Sequence, residues 1–389
     1  MTTTDENPPE RVSAWALRVA ERLGTRRAQL LDDLATLVEL ESPSDDVAAL
    51  NRAADWLERW LAPVGTVTRH RASDGRMHLL VEPPGAGERG ALLMCHYDTV
   101  WPIGTTAQWP FSHDERWAYG PGTFDMKASI VAARHGLLAL RELELPCNAR
   151  LLLTADEEIG SGTSHELICE QARRACAALV LEPPLEDGAL KTARKGQGNA
   201  RIAIAGRAAH AGIAPEDGVN AIEEAAHLVG AVRAIADALP GTSATVSRIE
   251  GGGATNVVPE HAAIAIDLRA WTAADMAELK ARLEALQPLH PEARVAVEVT
   301  IGSLPLERTP ATQALLACAA PAAAALGLEL REGRTGGCSE GNLVQPLGVP
   351  VLDGLGVRGV GPHTREERIE LANLVPQAAL IAALAADLD

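Results

Sequence analysis

His96 and Asp98 in MCHYDT, Asp125 in GPGTFDMKAS, Glu157 and Glu158 in TADEEIGS, Glu182 in LEPP and His363 in GPHT fall at the ends of short apolar runs. In open α/β sheets the carboxyl ends of the strands line the ligand crevice, so the repetition carries information. Singly, each such residue reads as a cap or a solvated turn position. Together, imidazoles and carboxylates are the donors that suit Zn²⁺ or a similar divalent ion, and two neighbouring ions can share one carboxylate. No thiolate site competes, because the six cysteines include no CxxC pair and sit mostly in apolar segments, where a reduced thiol packs as a small hydrophobe.

The elements that must carry these residues follow from periodicity. Helical spacing predicts amphipathic helices over 12–41 and 48–61. Apolar runs at 77–81, 91–95, 150–154 and 177–181, separated by helical segments at 127–143 and 165–176, predict a doubly wound, mostly parallel sheet. From Gly198 the rhythm becomes strand 199–205, helix 219–238, strands 243–249 and 261–268, helix 273–286 and strand 293–299. That βαββαβ order is the split unit of a ferredoxin-like α+β sandwich. The α/β pattern returns with a helix at 312–326, an apolar run at 349–352 and a helix at 371–388. The expected organisation is a catalytic domain in two parts, 10–194 and 304–389, with a second domain, 195–303, inserted into it.

Composition narrows the function. At 389 residues, with 47% hydrophobic and 22% charged residues, the chain supports two or three globular cores. Acidic residues outnumber basic ones by 52 to 35, a formal charge of −17, which disfavours nucleic acid and anionic membrane surfaces as partners. The polar start to Pro9 has no basic and apolar leader pattern, and no long apolar stretch follows, so the expected location is cytoplasmic.

The stretches HYDTVWPIGT, YGPGTFDMKAS and TADEEIGS, in this order, carry a resemblance to the co-catalytic zinc aminoacylase and carboxypeptidase G family. That family includes acetylornithine deacetylase and succinyl-diaminopimelate desuccinylase, and within it the look is nearest to the glutamate carboxypeptidases. The resemblance runs from about Leu37 to the C-terminus. It implies that His96, Asp125 and Glu182 hold one metal ion and Asp125, Glu158 and His363 another, with Asp125 bridging. The ions are expected to be zinc, with cobalt or manganese as alternatives. Asp98 matches the family carboxylate that orients the first imidazole, fixing its tautomer and raising its basicity. Glu157 matches the general base.

Carried over likewise, His210 in GRAAHAGIAPEDGVNAI matches a histidine that reaches the neighbouring subunit's site and steadies the oxyanion, which implies a homodimer built through the inserted domain. Asn256 in GGGATNVVPE matches a position near the oxyanion. Arg269 in IDLRA matches one near the substrate carboxylate, where a guanidinium fork suits a planar anion. Gly337 and Cys338 belong to a matching loop, RTGGCSEGN. The chain departs from the family at Cys338 and Glu340, commonly Gly and Asp, and at Ala128, commonly Gly. Ser303 stands where glutamate-cleaving relatives carry Arg, with Arg308 nearby as a substitute cation.

The expected activity is hydrolysis of the amide bond of an N-acyl or short peptidyl amino acid with a free α-carboxylate. Two rival classes remain. One is a metal-bound binding module that kept the fold without turnover; the other is a two-metal phosphoesterase, which the acidic charge and the lack of a basic phosphate cradle disfavour.

Overall fold

The computed structural model describes residues 8–87 and 89–388. Two compact units divide the chain. The first takes the described residues through Thr192, Arg308–Arg334 and those from Ser339 on; the second takes Ala193–Glu307 and Thr335–Cys338.

Apolar runs without alternation make strands that must be covered on both faces. Ala91–His96 and Ala149–Thr154 are such runs, buried at every residue, and they pair in parallel with His96 level with Thr154. Ala178–Val180 lies parallel on the other side of Ala91–His96 with Met94 level with Val180, and Val351–Asp353 continues the parallel set beyond it. These four strands form the centre of an eight-stranded sheet. Thr66–Arg71 and Met77–Glu82 extend it on one side, and Leu190–Arg194 and Glu332–Thr335 on the other. Met77–Glu82 joins Ala149–Thr154 in antiparallel fashion, so the sheet is parallel where it carries chemistry and antiparallel toward an edge.

Helices cover the sheet through one continuous apolar core. Ala128–Glu142 packs on the last helix, Leu371–Asp387, at a crossing where Gly136 faces the backbone of Ala378; a Cβ at Gly136 would lie 2.7 Å from the Ala378 carbonyl oxygen. The expected helix at 12–41 is two helices, Pro8–Gly24 and Arg27–Glu39. Leu23 and Leu30 are both buried and two turns apart, so the apolar phase runs through the break. Glycine nonetheless ends the first helix, and the Arg26 N–H turns back to the Leu23 carbonyl at 2.9 Å. The polar start expected to reach Pro9 also gives way earlier, since Pro8 opens that helix, a position where its missing N–H costs nothing. The rest of that start, residues 1–7, lies outside the described residues.

A small antiparallel sheet, ordered Gly359–Val360, Arg368–Glu370, Trp117–Tyr119, Ser112–His113, carries His363 in the hairpin loop between its first two strands. All four of its strands are two or three residues long and escaped the periodicity reading.

In the second unit the strands Ser243–Gly251, His261–Ala270, Gly196–Ala205 and Arg294–Ser303 form, in that spatial order, an antiparallel sheet. Alternation along Gly196–Ala205 buries one face against Ala221–Asp237 and Ala273–Glu284, the ferredoxin-like arrangement. Both helices start on side-chain caps: Asn220 accepts from Ile222 and Glu223, and Thr272 from Asp275. Among the described residues no helix is long and apolar enough to cross a membrane.

Candidate metal centre

Parallel register brings the first donors together. Because Met94 is level with Val180, His96 and Glu182 leave neighbouring strands at the same height, and His96 Nε2 lies 3.3 Å from Glu182 Oε1. Asp125 comes from the loop before Ala128–Glu142, where the Asp125–Met126 peptide bond is cis. Its Oδ1 lies 3.1 Å from His96 Nε2 and its Oδ2 lies 3.3 Å from His363 Nε2. Glu158 Oε2 is 3.1 Å from the same His363 nitrogen. His363 itself sits in the left-handed region at φ 60°, an uncommon conformation that turns its ring inward from the hairpin.

The other side of His96 is fixed by Asp98, whose backbone carbonyl lies 3.0 Å and whose Oδ1 lies 3.5 Å from Nδ1. The Asp98 carboxylate has further partners. It accepts the Ser44 hydroxyl at 2.7 Å and the backbone N–H groups of Glu157 and Glu158, each at 3.2 Å. Asp156 pins the following turn by accepting from Thr163 N–H, Thr163 Oγ1 and Ser164 N–H.

His96, Asp125 and Glu158 present ligand atoms within 4.8 Å of one another, as do His96, Glu157 and Glu182. Separations of 3.1–3.3 Å between paired atoms fit the edges of a tetrahedron around an ion with bonds of about 2.0–2.1 Å. The chemistry fits as well: Asp125, Glu157, Glu158 and Glu182 bring four carboxyl groups together, donors that suit divalent cations. Burial opposes charge on His96, but Asp125, Asp98 and Glu182 outweigh it and hold its pKa well above the usual imidazole range. Asp125 and Glu158 push His363 up to about 10. Burial resists ionisation of Asp125, yet the two imidazoles keep its carboxyl well below the usual range. Burial, then the charge of Glu182, raises Glu157 well above it.

The seven residues of the first unit singled out in the sequence therefore converge. His210, Asn256, Arg269, Gly337 and Cys338 all belong to the second unit. There His210 is exposed and Ala211 N–H donates to the Asn256 carbonyl at 2.9 Å, which places the two residues side by side. Arg269 holds Asp267 with Nε and Nη2 at 2.9 and 3.0 Å and turns Nη1 toward Cys338 Sγ at 3.8 Å. Arg308 is not a free cation: it grips Glu332 with two bonds of 2.6 and 2.8 Å.

Sequence reasoning missed the supports of the centre. Glu367 is buried beneath the Asp125 loop, and Glu340, pushed up to about 8 by burial, receives Ser161 Oγ at 3.3 Å. The signal for Glu340 was its place in RTGGCSEGN; Glu367 left none, since its partners are N–H groups of other loops.

A sheet with parallel central strands, an inserted ferredoxin-like unit and a paired His-carboxylate centre define a metallopeptidase architecture. The chain matches peptidase family M20/M25/M40 over residues 92–387 and belongs to that family. It is 32% identical over 366 residues to carboxypeptidase G2 of Pseudomonas sp. strain RS-16, covering 91% of this chain and 88% of that protein. It is 29% identical over 376 residues to succinyl-diaminopimelate desuccinylase of Delftia acidovorans, covering 90% and 95%. Among solved structures, the YXEP protein of Bacillus subtilis, described as a dinuclear metal-binding peptidase of family M20, shares the fold with a TM-score of 0.64 at 16% identity, covering 92% of this chain and 97% of that one.

Proposed function

We propose that this enzyme hydrolyses the amide bond of N-acyl or short peptidyl amino acids that carry a free α-carboxylate, using two divalent metal ions, most simply zinc. The observation that carries the reading is Asp125, with one carboxylate oxygen facing His96 at 3.1 Å and the other facing His363 at 3.3 Å. His96, Asp125 and Glu182 would hold one ion, and Asp125, Glu158 and His363 the other. When bound, such ions polarise a carbonyl and make water acidic enough to attack near neutral pH.

The side chains supply the rest. Glu157 Oε takes the proton of the attacking water and delivers it to the departing nitrogen, which then leaves as an amine. Its raised pKa, set by burial and Glu182, suits a group that must hold that proton between the two transfers. Asp98 keeps His96 in one tautomer. His210 steadies the oxygen anion from the partner subunit of a homodimer, with Asn256 beside it. Arg269 offers Nη1 to the substrate carboxylate, since Asp267 occupies the other edge of its fork. Arg308 is engaged by Glu332 and Ser303 carries no charge, so a second, side-chain carboxylate on the substrate is not required.

The test measures amine release by metal-loaded protein from N-acetyl amino acids, glutamate conjugates, dipeptides and their carboxyl-amidated forms, and phosphate release from a phosphate ester. Turnover of free-carboxylate amides, lost on amidation, is expected. Equal turnover of amidated forms removes Arg269 from recognition, and turnover of the ester alone overturns the reading.

A further inference from the structure

Glu367 has a side chain that the proposed reaction does not use. It is fully buried, and each of its oxygens accepts two N–H groups. Oε1 takes the backbone N–H of Phe124 at 2.9 Å and of Asp125 at 3.0 Å. Oε2 takes the backbone N–H of Gly122 at 3.0 Å and the Trp101 indole N–H at 2.8 Å. A carboxylate with both oxygens doubly occupied is an acceptor with no capacity left, and it gathers four donors from two loops.

The connectivity gives this contact a direction. Glu367 closes the same hairpin loop that displays His363: Thr364 N–H donates to the Gly361 carbonyl and Glu367 N–H to the Thr364 carbonyl, both at 3.1 Å. At its far end the carboxylate grips the backbone N–H of Asp125. One side chain thus ties the loop carrying His363 to the loop carrying Asp125. Trp101 brings in a third loop, and the Arg365 guanidinium lies 5.6 Å from the ring centres of both Trp101 and Trp109, binding that loop back onto the hairpin.

We propose that Glu367 is a positioning residue that sets the span between Asp125 and His363, and so governs the affinity of the metal position formed by Asp125, Glu158 and His363. It rests on the ligand set proposed above. Glu367 touches no ligand side chain and acts through the Asp125 backbone. The other position is less exposed to its loss, because His96 and Glu182 hang from adjacent parallel strands whose register is held by the sheet. Replacement by glutamine keeps the size and removes the fit, since an amide has one oxygen and its NH₂ would point at two N–H donors.

The experiment titrates chelator-stripped full-length protein with Zn²⁺ against a chromophoric chelator, which reads affinity without substrate. Wild type is expected to bind two ions. In Glu367→Gln the position of Asp125, Glu158 and His363 is expected to lose about 10–100-fold in affinity and so become the weaker position, as is usual when a ligand's hydrogen-bond partner is removed, while the other changes by no more than about threefold. Trp101→Phe removes one donor of the four and is expected to shift that position in the same direction by a few-fold; it carries the test if circular dichroism shows that Glu367→Gln does not fold. Two ions bound as in wild type by the variant, or an equal loss at both positions, overturns the role of Glu367. A single ion in wild type overturns the two-position reading instead, and this proposal with it.

Discussion

Asp98 Oδ1 accepts the backbone N–H of Glu157 at 3.2 Å, so the residue beside His96 also holds the segment that carries the proposed base. Its second oxygen does the same for Glu158 at 3.2 Å. Asp98→Asn leaves one oxygen where two are needed and aims an NH₂ at a backbone donor. The expected outcome is a 10–100-fold or so loss of kcat/KM together with weaker metal binding. Loss of activity with unaltered metal affinity would confine Asp98 to the base.

Glu157→Gln is expected to keep both ions while kcat falls by about 10²–10⁴-fold, because an amide cannot accept the proton of water. Metal analysis and steady-state kinetics on the same preparation check it. Loss of an ion would make Glu157 a ligand, which its position within 4.8 Å of His96 and Glu182 atoms allows sterically.

Metal binding is expected to release protons. With Asp125 and Glu158 pushing His363 up to about 10, its ring is protonated near pH 7 in the metal-free protein and must shed that proton to act as a ligand. A pKa raised by folding gives stability present below about 6.5, the unfolded value, and lost as pH rises through the folded value. Metal-free protein should therefore lose stability between pH 6.5 and 10 or so, whereas ligand-bound His363 no longer titrates there. Calorimetric titration in buffers of different ionisation enthalpy, and melting curves against pH with His363→Ala as control, read both effects. Zinc at a hundred times its Kd should raise stability by about 2.7 kcal/mol.

His210→Ala and Glu157→Gln proteins, each inactive alone, are expected to recover some activity when their subunits are exchanged. In such a mixed dimer one site receives an intact base and a partner's intact histidine. Recovery is read after mixing under conditions where exchange is shown by a tag on one subunit; none despite exchange would put His210 outside the neighbouring site.

Gly136→Ala tests the helix crossing beneath the sheet. Alanine favours an isolated helix by about 1 kcal/mol, but here its Cβ would sit 2.7 Å from the Ala378 carbonyl oxygen, and backbone cannot swing aside. Overpacking of this kind costs about 1–3 kcal/mol, so the clash outweighs the propensity and the melting temperature is expected to fall. An unchanged or higher value would show that the two helices part freely.

Residue order alone already marked which segments are buried and where the reactive groups leave them. Runs such as 91–95 and 150–154 have no alternation because both faces of a central parallel strand are covered, and the alternating strands of the second unit show that only one face is. His96, Glu157 and Glu182 were legible for that reason: each follows such a run. Periodicity reports one segment's burial and nothing of its neighbours, so the break at Gly24, where the apolar phase continues unbroken, was invisible. Tertiary structure alone decided the contacts between segments. His96 meets Glu182 because two strands lie parallel with Met94 level with Val180, and Asp125 meets His363 across a long stretch of chain. Glu367 was silent in the sequence because its role lies in four N–H groups supplied by other loops, and backbone donors leave no mark in residue type. Arg269 gave a guanidinium to the reading of the chain, and only the fold showed that Asp267 already holds one edge of it, since which hydrogen bonds a fork makes depends on what the neighbouring strand positions bring within reach.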